Sequence, residues 1–217
     1  GYYENGQKKS EGTKKDGKRD GLWTYWYEKG NKDQEETYKD GELNGLYIGY
    51  HENGQKKQEG TYKDGEPNGL YTIYHENGQK EYEGTYKDGK LNGLYLRYHE
   101  NGQKKQEGTY KDGELNGLYI GYHENGQKEY EGTYKDGKQE GLWTFWYQNG
   151  QKYSEETYKD GKQYIINRWN KDGELLVREG NGIWITWYEN GQKEEVTYKD
   201  GKRDGLYTLF HENGETK

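Results

Sequence analysis

One unit, GLYIGYHENGQKKQEGTYKDGELN, recurs every 24 residues through most of this chain. A short period repeated many times commits a chain to stacking one supersecondary unit on the next. The Gly-Leu step falls at Gly21, Gly45, Gly69, Gly93, Gly117 and Gly141. An Asn-Gly pair falls at Asn5, Asn53, Asn77, Asn101, Asn125 and Asn149, with Lys29 replacing Asn once. An Asp-Gly pair falls at Asp16, Asp40, Asp64, Asp88, Asp112, Asp136 and Asp160. Residues 38–56 match 110–128 letter for letter.

Each unit therefore holds two short segments and two turn signals. Both dipeptides favour the positive backbone angles of a two-residue type I′ turn. The segments between them are rich in Tyr, Trp, Thr and Ile, as strands prefer. The chain has no Ala, and its turn signals come every dozen residues, which excludes long helices. The fold class predicted is all-β: an elongated single antiparallel β-meander, or solenoid, of tandem 24-residue β-hairpin repeats. Roughly 18 strands at about 4.8 Å each make a sheet roughly 85 Å long. The domain plan is one repeat domain over 1–217. Regular repeats cover 1–161 and 183–217, and an irregular shortened unit covers 162–182.

Side-chain direction follows from the turns. With Asn53-Gly54 as a two-residue turn, Tyr47 faces Gly60 and Leu46 faces Thr61. The same pairing sets Tyr71 against Gly84 and Tyr95 against Gly108. An aromatic ring over a cross-strand glycine restores packing that the glycine lacks. One face then carries Leu46, Ile48 and Tyr50, and the other Tyr47, Tyr62 and His51. In the irregular unit, Tyr164 stands where Gly is expected and Lys171-Asp172-Gly173 replaces the Asn-Gly turn. About six residues are missing before Gly182. Ile165, Ile166, Leu175, Leu176 and Val177 make this the most aliphatic stretch, read as a kink or local core plug. The regular frame resumes through Trp184, Asn190-Gly191 and Asp200-Gly201.

The residues GLWTYWYEKG, GLWTFWYQNG and EGTYKDGK resemble MORN-type repeats, in a bacterial variant reading roughly G-x-W-x-x-Y-Y-E-N-G-Q-x-x-x-E-G-x-Y-K-D-G-K. The resemblance covers nearly the whole chain. It implies a non-catalytic binding module. Proteins with this variant are grouped as antitoxins of the YwqK type or occur as surface-associated repeat proteins. Eukaryotic relatives act as scaffolds and have been linked to phospholipids.

Function classes narrow further on chemistry. Without Cys there is no disulfide, thiol nucleophile or thiolate metal site. No 20-residue apolar run is present, so no transmembrane helix is expected. A net charge of −7 with mixed signs argues against nucleic acid. His51, His75, His99 and His123 lie two strands apart, roughly 9.6 Å, too far to share a metal. They are read as solvated residues of a sheet face. Glu59, Glu83, Glu107 and Glu131 repeat on an open sheet without the cleft that paired catalytic acids need. Ser10 and Ser154 have no neighbouring His to activate them. The Lys56-Lys57 and Lys104-Lys105 pairs sit beside Glu59 and Glu107, as on a solvated, charge-mixed face. No enzyme, cofactor or metal is expected.

The expected function is a scaffold that recognises a protein partner through its sheet face, in an antitoxin-like manner. The candidate partner-binding residues are the recurring aromatics Trp23, Tyr47, Tyr71, Tyr95, Tyr119 and Trp143, with Trp169 from the irregular unit. Two alternatives stand: a surface adhesin binding an extended glycan along that aromatic ladder, and a structural spacer in a longer array. Exposed edge strands suggest end-to-end self-association.

Overall fold

A computed structural model describes residues 1–188 and 192–210. The Asn190-Gly191 turn and the last seven residues of the final regular stretch lie outside them. Among the described residues there are no helices and 18 strands, each antiparallel to its sequence neighbour within two compact units, Gly1–Leu115 and Asn116–Lys217.

The first unit is a meander of β1 (Ser10–Lys15), β2 (Lys18–Trp26), β3 (Lys32–Lys39), β4 (Glu42–Tyr50), β5 (Lys56–Lys63), β6 (Glu66–Tyr74), β7 (Lys80–Lys87), β8 (Lys90–Tyr98) and β9 (Lys104–Lys111). Its two turn types differ. The Asp-Gly pairs form the two-residue turn expected. Asp64 has φ 50° and Gly65 φ 83°, and Lys63 pairs directly with Glu66. The Asn-Gly pairs do not. Gly54 has φ 86°, while the His51 amide bonds the Gln55 carbonyl at 2.8 Å and the Gly54 amide bonds the His51 carbonyl at 2.8 Å. Glu52, Asn53 and Gly54 therefore make a three-residue loop with glycine in the left-handed position. The cause is the Asn side chain. Its Oδ1 accepts the Gln55 amide at 2.9 Å, and its Nδ2 donates to the Glu76 carbonyl of the next loop at 3.1 Å. That closed ring holds Asn53 in ordinary negative-φ backbone.

The predicted pairing nonetheless holds in the strand interior: Leu46 opposite Thr61, Tyr47 opposite Gly60, Tyr71 opposite Gly84 and Tyr95 opposite Gly108. A bulge between Gly49 and Tyr50 offsets the extra loop residue. A second irregularity lies across each Asp-Gly hairpin, where the register shifts between Gly60 and Tyr62. Gly69 sits there with φ 114°, so the Gly-Leu step of every unit is a built-in strand bend.

Alternation then separates two faces. Tyr50 shares its face with Glu35, to which its hydroxyl donates at 2.5 Å. Tyr47 is on the other face, its ring 5.8 Å from that of Tyr62. Rings cover Gly12, Gly60 and Gly132, but from the other neighbour, whereas Gly84 is covered by Tyr82 of its own strand and by Leu91. A Cβ on Gly60 would strike the ring of Tyr71, from the following strand, and one on Gly12 would strike Trp23.

The second unit holds β10 (Glu114–Tyr122), β11 (Lys128–Lys135), β12 (Lys138–Trp146), β13 (Lys152–Lys159), β14 (Lys162–Trp169), β15 (Leu175–Arg178), β16 (Asn181–Trp187), β17 (Lys193–Lys199) and β18 (Lys202–Phe210). The shortened hairpin is β15–β16. Its turn, Glu179-Gly180, has φ 50° and 78°, and Arg178 pairs with Asn181. Being short, it lets the next turn fold back. The Ile165 amide bonds the Gly201 carbonyl at 2.8 Å, and the Gly201 amide bonds the Gly180 carbonyl at 3.1 Å. Ile165, Val177, Val196 and Tyr198 close into a buried cluster, with Trp184 packed against it. Val177 is fully buried. The irregular stretch is thus the core plug that its aliphatic content predicts.

Candidate binding surfaces

The predicted aromatics do not share one environment. In the first unit Trp23, Tyr47, Tyr71 and Tyr95 are half-buried. Tyr47, Tyr62, Tyr71 and Tyr86 follow one another at 5.8, 6.4 and 5.9 Å between ring centroids, mostly edge to face. Tyr95 meets Tyr82 at 5.5 Å and Tyr110 at 5.3 Å. Three of these pairs are edge to face and the others tilted, an arrangement that favours cohesion of the sheet. Burial raises the Tyr47 and Tyr71 phenols above their ordinary range. In the second unit Tyr119 stacks on Tyr130 at 5.9 Å, and Trp169 is half-buried, its carbonyl accepting the Tyr147 hydroxyl at 3.0 Å. Trp143 is only 2% exposed, boxed in by Tyr134, Phe145 and Tyr158. Its position makes it a structural ring rather than a surface anchor.

The opposite face carries a feature that was not singled out from the sequence. Leu22, Leu46, Leu70 and Leu94 of the first unit are 55, 48, 56 and 51% exposed. They stand one per unit, every second strand, so neighbours are roughly 9.6 Å apart. The repeat period displays them. No second layer covers this face within the first unit.

Around that ladder the charges are neutralised locally. Lys56 bonds Glu59 at 2.5 Å and Lys80 bonds Glu83 at 2.7 Å. Each carboxylate also accepts a phenol from the next even-numbered strand: Tyr50 to Glu35, Tyr74 to Glu59 and Tyr98 to Glu83. The Lys56 and Tyr74 hydrogen bonds hold the Glu59 carboxyl below its usual range. Burial, and then the carboxylate partner, push the Tyr50, Tyr74 and Tyr98 phenols up to about 12. These acids are structural, and besides the expected Lys each has a tyrosine of the following strand as a partner.

The histidine column is likewise not a solvated row. Tyr3 and Tyr27 donate to the carbonyls of Trp26 and Tyr50 at 2.6 and 2.7 Å. His51 Nε2 lies 3.2 Å from the Tyr74 carbonyl, and His123 Nε2 lies 3.0 Å from that of Trp146. At Tyr3, Tyr27, His51 and His123 this column clips the loop to the strand end 23 residues on, whereas the buried His75 Nε2 makes no such bond. Among the described residues no group of three or more His, Asp or Glu is placed to hold a metal.

Two acids break the glycine rule. Glu36 and Glu156 stand where five other repeats carry Gly12, Gly60, Gly84, Gly108 and Gly132. Both are buried. Glu36 accepts Tyr38 at 2.6 Å with Arg19 at 3.9 Å. Glu156 accepts the buried Ser154 at 2.8 Å with Arg168 at 3.6 Å. An arginine accompanies each buried acid, a correspondence visible in the sequence and missed there.

The second unit also contains a groove of about 650 Å³ floored by Tyr130, Phe145, Trp146, Tyr147 and Tyr153.

The family described as MORN repeat variant matches residues 19–40, 43–64, 67–88, 91–112, 115–136, 139–160 and 180–200. The matches leave a gap over 161–179, which spans β14 and β15. No curated protein matches the chain.

Proposed function

Because the chain belongs to the MORN repeat variant family, we propose that it is a non-catalytic binding module that recognises a protein partner through a sheet face. The observation that carries this reading is the leucine ladder of the first unit. Four large apolar side chains, each about half exposed, recur at a fixed step among paired charges. Regular apolar anchors ringed by polar groups suit a protein contact. The half-buried Trp23, Tyr47, Tyr71 and Tyr95 act in this reading as a rigid backing that keeps the leucines in line. Their edge-to-face packing leaves few free ring faces, which argues against a glycan lying along that ladder. Trp169 is the specificity element of the second unit. An antitoxin-like role is the special case in which the bound partner is a toxic protein held inactive.

The test is affinity capture from the source organism with the full chain and with Leu46→Asp/Leu70→Asp. The reading expects one identified protein at fixed stoichiometry, lost from the double variant while circular dichroism is unchanged. Equal retention by both, or retention of nothing, overturns it.

A further inference from the structure

The repeats provide an internal control for the groove of the second unit. Seventy-two residues earlier, at the same place in the repeat, the first unit has a groove of about 440 Å³. Position by position the two can be compared. His51 corresponds to His123 and Asn77 to Asn149. Tyr74 becomes Trp146, His75 becomes Tyr147, Glu76 becomes Gln148 and Glu81 becomes Tyr153. At these positions two carboxylates are replaced by an amide and a phenol and two rings are enlarged or converted, while the lining residue Glu129 stands where the first unit has Lys57. Residues 38–56 and 110–128 are identical, whereas 57–89 and 129–161 differ at thirteen positions, seven of which line this groove.

The result is an aromatic floor. Ring centroids run Tyr130 to Phe145 at 6.5 Å, Phe145 to Tyr153 at 5.7 Å and Tyr153 to Tyr147 at 5.1 Å. None of these three pairs is edge to face; they are tilted at 42–51°. At the rim stand the exposed side chains of Glu129, Gln148 and Lys171. One acid and one base leave the rim neutral overall. Together the three offer hydrogen-bond acceptors and donors above an apolar floor. The volume lies in the range of small-ligand sites.

We propose that this groove binds a neutral pyranose oligosaccharide. Such a ring presents an apolar C–H face to an aromatic floor and a rim of hydroxyls that both donate and accept. The replaced carboxylates and the balanced rim disfavour a cation or a polyanion. This site is independent of the leucine face, which lies in the other unit.

The test titrates the full chain with cellotriose, maltotriose and triacetylchitotriose, reading tryptophan fluorescence and ligand-detected NMR. The variant is Tyr153→Glu/Gln148→Glu, which restores the residues the first unit's groove already carries and so preserves the fold. At least one trisaccharide is expected to saturate the wild type, with affinity falling about tenfold or more in the variant. Leu46→Asp/Leu70→Asp keeps sugar binding intact. Absence of saturation by all three sugars, or equal affinity in wild type and groove variant, overturns the proposal. So does binding of tetramethylammonium or a proline-rich peptide, lost in the variant, when no sugar binds.

Discussion

Gly60 is where the packing of the repeat can be tested by one methyl group. Its backbone is ordinary extended strand, so Gly60→Ala introduces no φ strain; the cost is steric. The added Cβ would sit 2.9 Å from Cε2 and 3.2 Å from Cγ of Tyr71, and closer still to Cδ2. Ordinary carbon contacts are about 3.5–4.0 Å, so the ring must retreat by roughly 1 Å. It is held from both sides by Tyr62 and Tyr86. Overpacking of this kind costs about 1–3 kcal/mol, or roughly 2–12 °C in Tm for a chain of this size. The assay is a double-mutant cycle by thermal and urea unfolding, with hydrogen exchange on β5 and β6. In a Tyr71→Ala background, Gly60→Ala should cost less than about 0.5 kcal/mol, since alanine suits a strand better than glycine. If Gly60→Ala costs the same with and without Tyr71, the reasoning fails. Relief by Tyr47→Ala in place of Tyr71→Ala would show that the preceding strand supplies the covering ring.

Alkaline titration should follow the phenol–carboxylate pairs. Tyr50, Tyr74 and Tyr98 rise from 10.0 to about 12 in the folded chain, so their contribution is complete below pH 10 and is lost as pH climbs to about 12. Tyr74→Phe should make that fall shallower; an unchanged slope in alkaline unfolding curves would exclude the pair. Val177→Ala, at a fully buried site, should cost about 2 kcal/mol and speed hydrogen exchange in β16 and β17. A cost under about 0.5 kcal/mol would mean the plug is not close-packed. Asn53→Ala loses two bonds, to Gln55 and Glu76, and should cost about 1–2 kcal/mol, read by urea midpoint; a neutral effect would remove the Asn clip from the account of the turns.

Much of the fold is written in local chemistry. Asp-Gly turns were legible because both residues tolerate positive φ at once. Asn-Gly turns were misjudged because the same dipeptide also fits a three-residue loop, and the choice rests on the bond from Asn53 to the Gln55 amide. The strand pairs came out as expected because a bulge at Gly49/Tyr50 restores the register. Which ring covers Gly60 was not legible, since Tyr47 and Tyr71 both oppose it. The aliphatic run from Ile165 to Val177 announced a core and formed one. Apart from Trp169 of the irregular unit, the candidate anchors are aromatic residues picked out by their recurrence. Recurrence does not distinguish Trp143, enclosed by rings, from Leu46, left open to solvent, because the 24-residue period repeats buried and exposed positions alike. The groove residues Gln148 and Tyr153 carried a signal that recurrence hides: a departure from the repeat at two lining positions.

The leucine face is tested most directly by calorimetric titration of the captured partner against the full chain and against Leu46→Asp/Leu70→Asp. Saturable one-to-one binding by the wild type, weakened at least about a hundredfold in the double variant with an unchanged Tm, is the expected result. Equal affinity for both chains would place the contact elsewhere and contradict the assignment of this face.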